Sequence, residues 1–554
     1  MNNHTPMSDP PRSPRTRAKA IAPWVAVVVL LFVAAVVFQA AGGAFNRELA
    51  GYPDEAAHYV TALMLRDYAG AALGQSPMEF ALNYYLHYPK VAFGHWPPMF
   101  YVVQAGWMLV FSSSKTSVLV LMAVLAACVA AVVCLRVSRR FGLITGIIVA
   151  SVYLALPVVQ EHTAMVMAEG LLTLFCFLAA ISFGVYLDSE KWQDCAWFGV
   201  FTSLAILTKG NAWALFLIPP VALLVAGRWR VLRQRAIWLT GAGVLAVCLP
   251  WQLLTLHMAS QGWNAKPGFQ YTVTAVPAFV AQYADMTGVV VLILALVGMA
   301  VTLLLPRRRA EAVAGEWAAM FGLVTAMLLF HSLVPAGVET RKLMPAAPAV
   351  LLFAIQGAVS LFGRFGLRWR TPVFAAAAVA LIFGLEAFTI PVKPQRDLSA
   401  AAERIATWPR GSVTLVSSDA NGEGAFISEV AMRDERPNHI VLRASKLLGD
   451  ESWGGDHYQS RFSDVVSVQR LLDQIPVESV VIDNWPGMRA RPHHELLLRA
   501  ITENPSEWVR VAVQGKAGTV TLYRRASPIR VPAGAIRLTA ESMLSRSLGG
   551  AGSE

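Results

Sequence analysis

Apolar residues recur between Ile21 and Thr389 in stretches long enough to cross a bilayer, which takes about 20 residues each. The stretches centre near Val33, Ala127, Val149, Leu174, Leu204, Leu215, Val244, Leu294, Val324, Leu352 and Ala380, which predicts about eleven transmembrane helices. The two flanking Lys209 are the shortest. Past Pro391 the period changes. Runs at 412–417, 439–443, 479–482, 508–513 and 519–523 read as strands, and amphipathic stretches at 399–408, 424–433, 465–475 and 494–502 read as helices. Such alternation predicts a small α/β layer domain with a partly parallel sheet. The chain thus divides into a tail (1–20), a transmembrane domain (21–392) with a long loop at 41–116, an α/β domain (393–540) and a polar, flexible tail (541–554).

Composition agrees with this division. Hydrophobic residues make up 56% and charged residues 15%, against about 25% charge in soluble proteins. The net charge of +11 would suggest nucleic acid on a soluble chain. Here the basic residues cluster in alternate loops: the N-terminus, Arg136/Arg139/Arg140, Arg228/Arg230/Arg233/Arg235, Arg307–Arg309 and Arg364/Arg368/Arg370. The positive-inside rule makes those loops cytoplasmic. The surplus is therefore an orientation signal and implies no nucleic-acid partner. It predicts a multi-pass protein of the cytoplasmic (inner) membrane with a cytoplasmic N-terminus, and places loop 41–116 and the α/β domain outside. Arg12, Arg15, Arg17 and Lys19 before the first stretch resemble a signal peptide, but the many later spans favour an uncleaved anchor. The five cysteines lie in or beside spans and read as small apolar filler.

Ionisable groups near a bilayer are costly and mark function by default. The span-associated ones gather at exterior ends: Asp54, Glu55, Glu161, Glu169, Lys209, Asp285, His331, Glu339, Arg341 and Lys342. A transporter tends to place such groups near the midplane; a one-sided cluster looks like a surface active site. Pro53-Asp54-Glu55 is also what an ordinary helix start favours. His58 lies one turn beyond Asp54 and shares its face. Farther on, His95-Trp96-Pro97-Pro98 leads into an apolar stretch ending near Phe111, either an aromatic-belt helix or, with Tyr84, Tyr85, Tyr88, Phe93 and Trp107 around it, a surface for a sugar. Asn421-Gly422-Glu423-Gly424 is a short glycine turn, and His493-His494 begins a helix.

Asp54-Glu55 after the first span, His95-Trp96-Pro97-Pro98 before the second, Glu169-Gly170-Leu171-Leu172, Leu207-Thr208-Lys209-Gly210 and Arg341-Lys342-Leu343-Met344-Pro345 together resemble GT-C membrane glycosyltransferases. The closest flavour is glycosyltransferase family 39, the branch of protein O-mannosyltransferases and lipid A aminoarabinose transferases. The resemblance covers roughly residues 20–390. It departs from the family pattern at Glu169, where Asp is common, and at Trp96, inserted into the His-Pro-Pro element.

The resemblance implies a polytopic α-helical GT-C fold with an extracytoplasmic α/β domain. It also implies a hexosyl- or pentosyltransferase that takes a polyprenyl-phosphate-linked sugar to a lipid, glycan or protein acceptor. Asp54 is then the general base, with Glu55 beside it in the catalytic pair. Lys209, Arg341 and Lys342 would contact the phosphate, and His58, His95, Trp96 and Tyr59 the substrates. A divalent cation held by Asp54 or Glu169, with His95 as a further ligand, is left open as the one cofactor. Two rival readings remain at this stage: a transporter or flippase for a lipid-linked glycan, and a non-catalytic membrane scaffold.

Overall fold

The computed structural model describes residues 14–92, 94–260, 265–308, 313–363, 371–451, 455, 458–516 and 518–527. The tail at 541–554, Phe93, Arg309 and the Arg364/Arg368/Arg370 cluster lie outside these residues. Among the described residues, six helices are long and apolar enough to cross a membrane: Ala22–Ala41, Lys115–Phe141, Glu169–Ser189, Arg235–Met258, Gly315–Leu333 and Thr340–Phe362. Two bent pairs raise this to as many as eight, so the chain is a multi-pass membrane protein. All eleven expected centres fall in helices, but several of those helices are short. Gly210–Ala226 and Thr371–Glu386 fall below full span length.

Both bends have local causes. Leu143–Ala155 and Pro157–Thr163 meet at 67°, because Leu156 is extended and Pro157 starts a new helix. Phe269–Thr287 and Val289–Leu304 meet at 108° at Gly288, whose φ of +87° suits glycine. Phe269–Thr287 has no counterpart in the sequence reading. It buries Phe279, Tyr283 and Met286 and exposes Phe269, Val273 and Val280, apolar on both faces but interrupted by polar residues such as Thr272, Thr274 and Gln282, so no single run reaches span length. The outward Trp238, Leu239, Leu253 and Leu254 of Arg235–Met258 suit a lipid-facing helix. Elsewhere two helices touch backbone to backbone: a Cβ at Gly298 would meet the Phe353 carbonyl oxygen at 1.9 Å, and one at Gly357 the Leu294 oxygen at 2.0 Å. Small residues permit this close approach.

Loop 41–116 folds into three helices, Pro53–Ala71, Pro77–His87 and Met99–Val110. The C-terminal domain holds strands β1 (Val413–Ser417), β2 (Ile440–Arg443), β3 (Gly449–Asp450), β4 (Gln459–Ser460), β5 (Ser479–Asp483), β6 (Trp508–Val511) and β7 (Val520–Arg525). The main sheet runs β2-β1-β5-β7-β6, parallel across β2-β1-β5 and antiparallel beyond, as the alternation of strands and helices predicts. Asn421-Gly422-Glu423-Gly424 forms the first turn of helix Ala420–Arg433, with Asp419 capping the Gly422 amide at 2.8 Å.

The two halves share one apolar core, in which Phe426, Ile427 and Val430 join Tyr59, Val60 and Leu63. Polar pins surround it. Tyr88 donates to Asp434 at 2.6 Å, and Arg436 reaches Asp67 at 2.7 Å.

Two outcomes are expected. Gly357→Leu must push helix backbones apart and should cost about 1–3 kcal/mol, read as a lower melting temperature in detergent. Gly384→Leu, where a Cβ meets nothing within 4 Å, should melt like the parent. The second outcome concerns pH. Burial alone would raise the Asp434 carboxyl, but hydrogen bonds from His439 and Tyr88 bring it down to about 2, while the same bond raises His439. A depressed carboxyl stabilises above its unfolded value of about 3.9 and loses that contribution as pH falls. A raised imidazole stabilises below about 6.5 and loses its contribution as pH climbs. The pair should therefore contribute most between about pH 4 and 6.5. Asp434→Asn should flatten both flanks of the melting-temperature profile; an unchanged profile would refute the linkage.

Candidate functional site

Pro53 occupies the first helical position after the extended Tyr52, and Asp54 sits in that first turn. Its Oδ2 lies 3.2 Å from Arg341 Nη1. The same guanidinium nitrogen is 3.8 Å from Glu169 Oε1, which in turn accepts from Lys209 Nζ at 2.6 Å. Arg341 Nε donates to Glu339 at 2.6 Å, and the guanidinium lies over the Tyr52 ring at 4.7 Å. Asp54, Arg341, Glu169 and Lys209 thus form a chain of alternating charge. It is assembled from the start of Pro53–Ala71, the start of Glu169–Ser189, the residue ending Trp192–Thr208 and the turn entering Thr340–Ala346. Glu169 Oε2 is buried and has no partner among the described residues.

A cavity of about 380 Å³ opens beside this chain, walled by Tyr52, Glu161, His162, Gln282, Asp285, Glu339 and Arg341, among others. That is near the lower end for ligand sites. Burial and the neighbouring Glu161 push the Tyr52 phenol up to about 12. His162 Nδ1 faces the Val158 carbonyl at 2.8 Å, which leaves Nε2 without a partner among the described residues. Sequence reasoning placed Glu161, Asp285 and Glu339 on this side without assigning them. It missed Tyr52, His162 and Gln282; adjacency to Asp54 was the available signal for Tyr52.

The other expected residues are placed as follows. His58 lies one turn beyond Asp54, packed against Trp96 at 4.6 Å and Phe100 at 5.3 Å, with Nδ1 3.3 Å from the Tyr101 hydroxyl. Burial pushes it down to about 4, so it is a neutral imidazole at physiological pH. His95 stands behind Trp96 at 5.8 Å. Glu55 turns away from the charge chain to meet Lys393 at 2.5 Å. Tyr59 donates to the Ser113 carbonyl at 2.6 Å. Lys342 folds onto its own turn, donating to Ala336 and to Gly337 at 2.6 Å, with Glu339 at 3.5 Å.

The residues do not fit a divalent cation shared by Asp54 and Glu169. The guanidinium nitrogen of Arg341 occupies the place between the two carboxylates, and Lys209 already neutralises Glu169. Among the described residues no three His, Cys, Asp or Glu side chains gather as a metal site.

The family profile of dolichyl-phosphate-mannose-protein mannosyltransferases matches residues 95–254, a stretch containing His95, Glu169 and Lys209 but neither Asp54 nor Arg341. Comparison with curated protein sequences gives no match. Among solved structures, ArnT from Cupriavidus metallidurans bound to undecaprenyl phosphate is 15% identical. It covers 91% of this chain and 99% of its own, with a TM-score of 0.58. The Archaeoglobus fulgidus oligosaccharyltransferase in complex with Zn and sulfate is 10% identical (82% and 68% covered, TM-score 0.52). The same enzyme tethered to an acceptor peptide containing the NVT sequon is 12% identical (94% and 77% covered, TM-score 0.53). These likenesses establish a GT-C fold that takes in the C-terminal α/β domain.

Proposed function

We propose that this chain is an inverting glycosyltransferase, moving a hexosyl or pentosyl unit from a polyprenyl-phosphate donor to a lipid, glycan or protein acceptor. The observation that carries this reading is the Asp54–Arg341–Glu169–Lys209 chain, whose Arg341 lines the cavity. It sets a candidate base next to two candidate phosphate ligands. The undecaprenyl phosphate in the ArnT structure supports a lipid-phosphate donor.

Asp54 takes the proton of the acceptor hydroxyl. The hydroxyl oxygen attacks the anomeric carbon from the side opposite the phosphate, and the carbon–oxygen bond to phosphate breaks, leaving with its electron pair. Lys209 and Arg341 stabilise the charge that grows on the departing phosphate, Arg341 offering a planar fork. One carboxylate suffices, because phosphate leaves without the acid a glycosidase supplies. Glu169 and Glu339 hold the cations in place. His58, neutral and enclosed by rings, packs behind Asp54, while His95 and Trp96 border that aromatic wall. Lys342 supports the turn carrying Arg341.

We assign the site to the outer face of the cytoplasmic membrane. Arg136 and Arg140 pair with Glu316, and Arg228 with Asp188, at the helix ends opposite Glu169 and Lys209. By the positive-inside rule those ends are cytoplasmic. The exterior catalytic loop is then 41–116, the α/β domain 393–540 is extracytoplasmic, and tail 1–20 is cytoplasmic.

Asp54→Asn, at normal membrane abundance, should lower transfer from radiolabelled polyprenyl-phosphate sugar by about 10²–10⁴-fold. Lys209→Ala should lower kcat by about 10²–10³-fold. Undiminished transfer by Asp54→Asn would reject the base assignment. Donor movement across vesicles without any transfer would favour the flippase reading, and loss of function only on truncation after Pro391 the scaffold reading.

A further inference from the structure

The proposed reaction uses Asp54 and leaves its neighbour Glu55 without a chemical task, yet Glu55 is fully buried. Its Oε1 lies 2.5 Å from Lys393 Nζ and accepts from the Val166 amide at 3.2 Å. Its Oε2 accepts from the Gly51 amide at 2.9 Å. Lys393 is equally enclosed, with the Ala164 carbonyl at 3.4 Å as a second acceptor. One ion pair therefore ties together three segments: the turn before Asp54, the stretch leading to Glu169, and the linker entering the α/β domain.

That linker is fixed on its far side as well. The Lys393 amide donates to Gly42 at 3.1 Å, and the Arg396 amide to Glu48 at 3.3 Å. The Arg396 guanidinium grips Asp419 through both nitrogens, at 2.6 and 2.8 Å, and reaches Asp483 at 3.3 Å. Asp419 and Asp483 stand at the carboxyl ends of the adjacent strands β1 and β5. The linker bonds to the catalytic loop on one side and to the sheet on the other.

We propose that Lys393 is a positioning residue for the transfer reaction: locked to Glu55, it sets Asp54 against the Arg341–Glu169–Lys209 charge chain and makes the α/β domain part of the active-site frame. This rests on the reading of Asp54 as base. A buried pair gives a distinctive signature. Removing one partner strands a charge, whereas replacing both with neutral groups is tolerated. Misplacing a reacting group by an ångström costs about 10²-fold in rate.

The test compares full-length Lys393→Met, Glu55→Gln and the double variant. Two readouts are taken: the kcat/KM split for transfer, and hydrogen exchange of peptides covering 48–62 and 160–170. Lys393→Met should lower kcat by about 10²-fold with KM held within roughly threefold, and both peptides should exchange faster. The double variant should regain at least about tenfold in kcat and recover its protection. Parent-like kcat and exchange in Lys393→Met would overturn the proposal, as would a double variant no better than the single one. If the parent transfers from no donor, the glycosyltransferase reading falls, and exchange alone decides the role of Lys393. Faster exchange that the double variant reverses upholds it, and unchanged exchange rejects it.

Discussion

A guanidinium held at the rim of an apolar helix bundle has to be neutralised, and the arrangement of the site follows from how Arg341 is. Asp54, Glu169 and Glu339 all address it, and the Tyr52 ring covers one face. Each carboxylate comes from a different part of the chain. Burial of paired charge gains little over apolar packing, but a lone charge there is costly. The pairing therefore acts mainly as a registry device. The helix beginning at Pro53, the span beginning at Glu169 and the turn before Ala347 can satisfy one another in one relative placement.

The ion pairs at the opposite helix ends differ in kind. Glu316 is shared by Arg136 and Arg140, and Arg228 meets Asp188, within a region rich in basic residues. Through residue 392 the chain carries 26 basic residues against 16 acidic, and beyond it 20 against 19. Much of that surplus comes from the alternate basic loops of the sequence, whereas the cavity is lined by Glu161, Asp285 and Glu339.

Much of this was legible in the sequence. Hydrophobic run lengths located most of the helices, Pro53 marked the start of the helix carrying Asp54, and the five strands of the main sheet fell within one or two residues of their expected limits, while β3 and β4 had no counterpart. The partners were not legible, because Asp54 and Arg341 are 287 residues apart and nothing local links them. Neighbours along the chain also misled. Consecutive helical residues point about 100° apart, so beside Asp54 on its helix Glu55 faces a different partner, and beside His58 Tyr59 reaches Ser113. In the tight turn Thr340–Ala346, Lys342 likewise bonds its own loop while Arg341 enters the site. Phe269–Thr287 was overlooked because Gln270, Thr272, Thr274, Gln282 and Asp285 break its apolar residues into runs too short to span a bilayer.

In the proposed reaction, the charge chain also bears on how binding and chemistry are linked. Lys209 and Arg341 are already satisfied by carboxylates, so a donor phosphate gains from them only in exchange for what Glu169 and Asp54 give up. Ground-state affinity from these cations is therefore modest. As the bond to phosphate breaks, charge on the leaving oxygen grows and the contacts strengthen, and stabilisation realised there raises kcat where uniform binding would only lower KM. The exchange acts on the base as well. An Arg341 drawn toward phosphate withdraws from Asp54, and a carboxylate that loses a cationic partner becomes a better proton acceptor. In that proposed reaction, arrival of the donor would activate the base through a single guanidinium, which gives a reason for the two to share it.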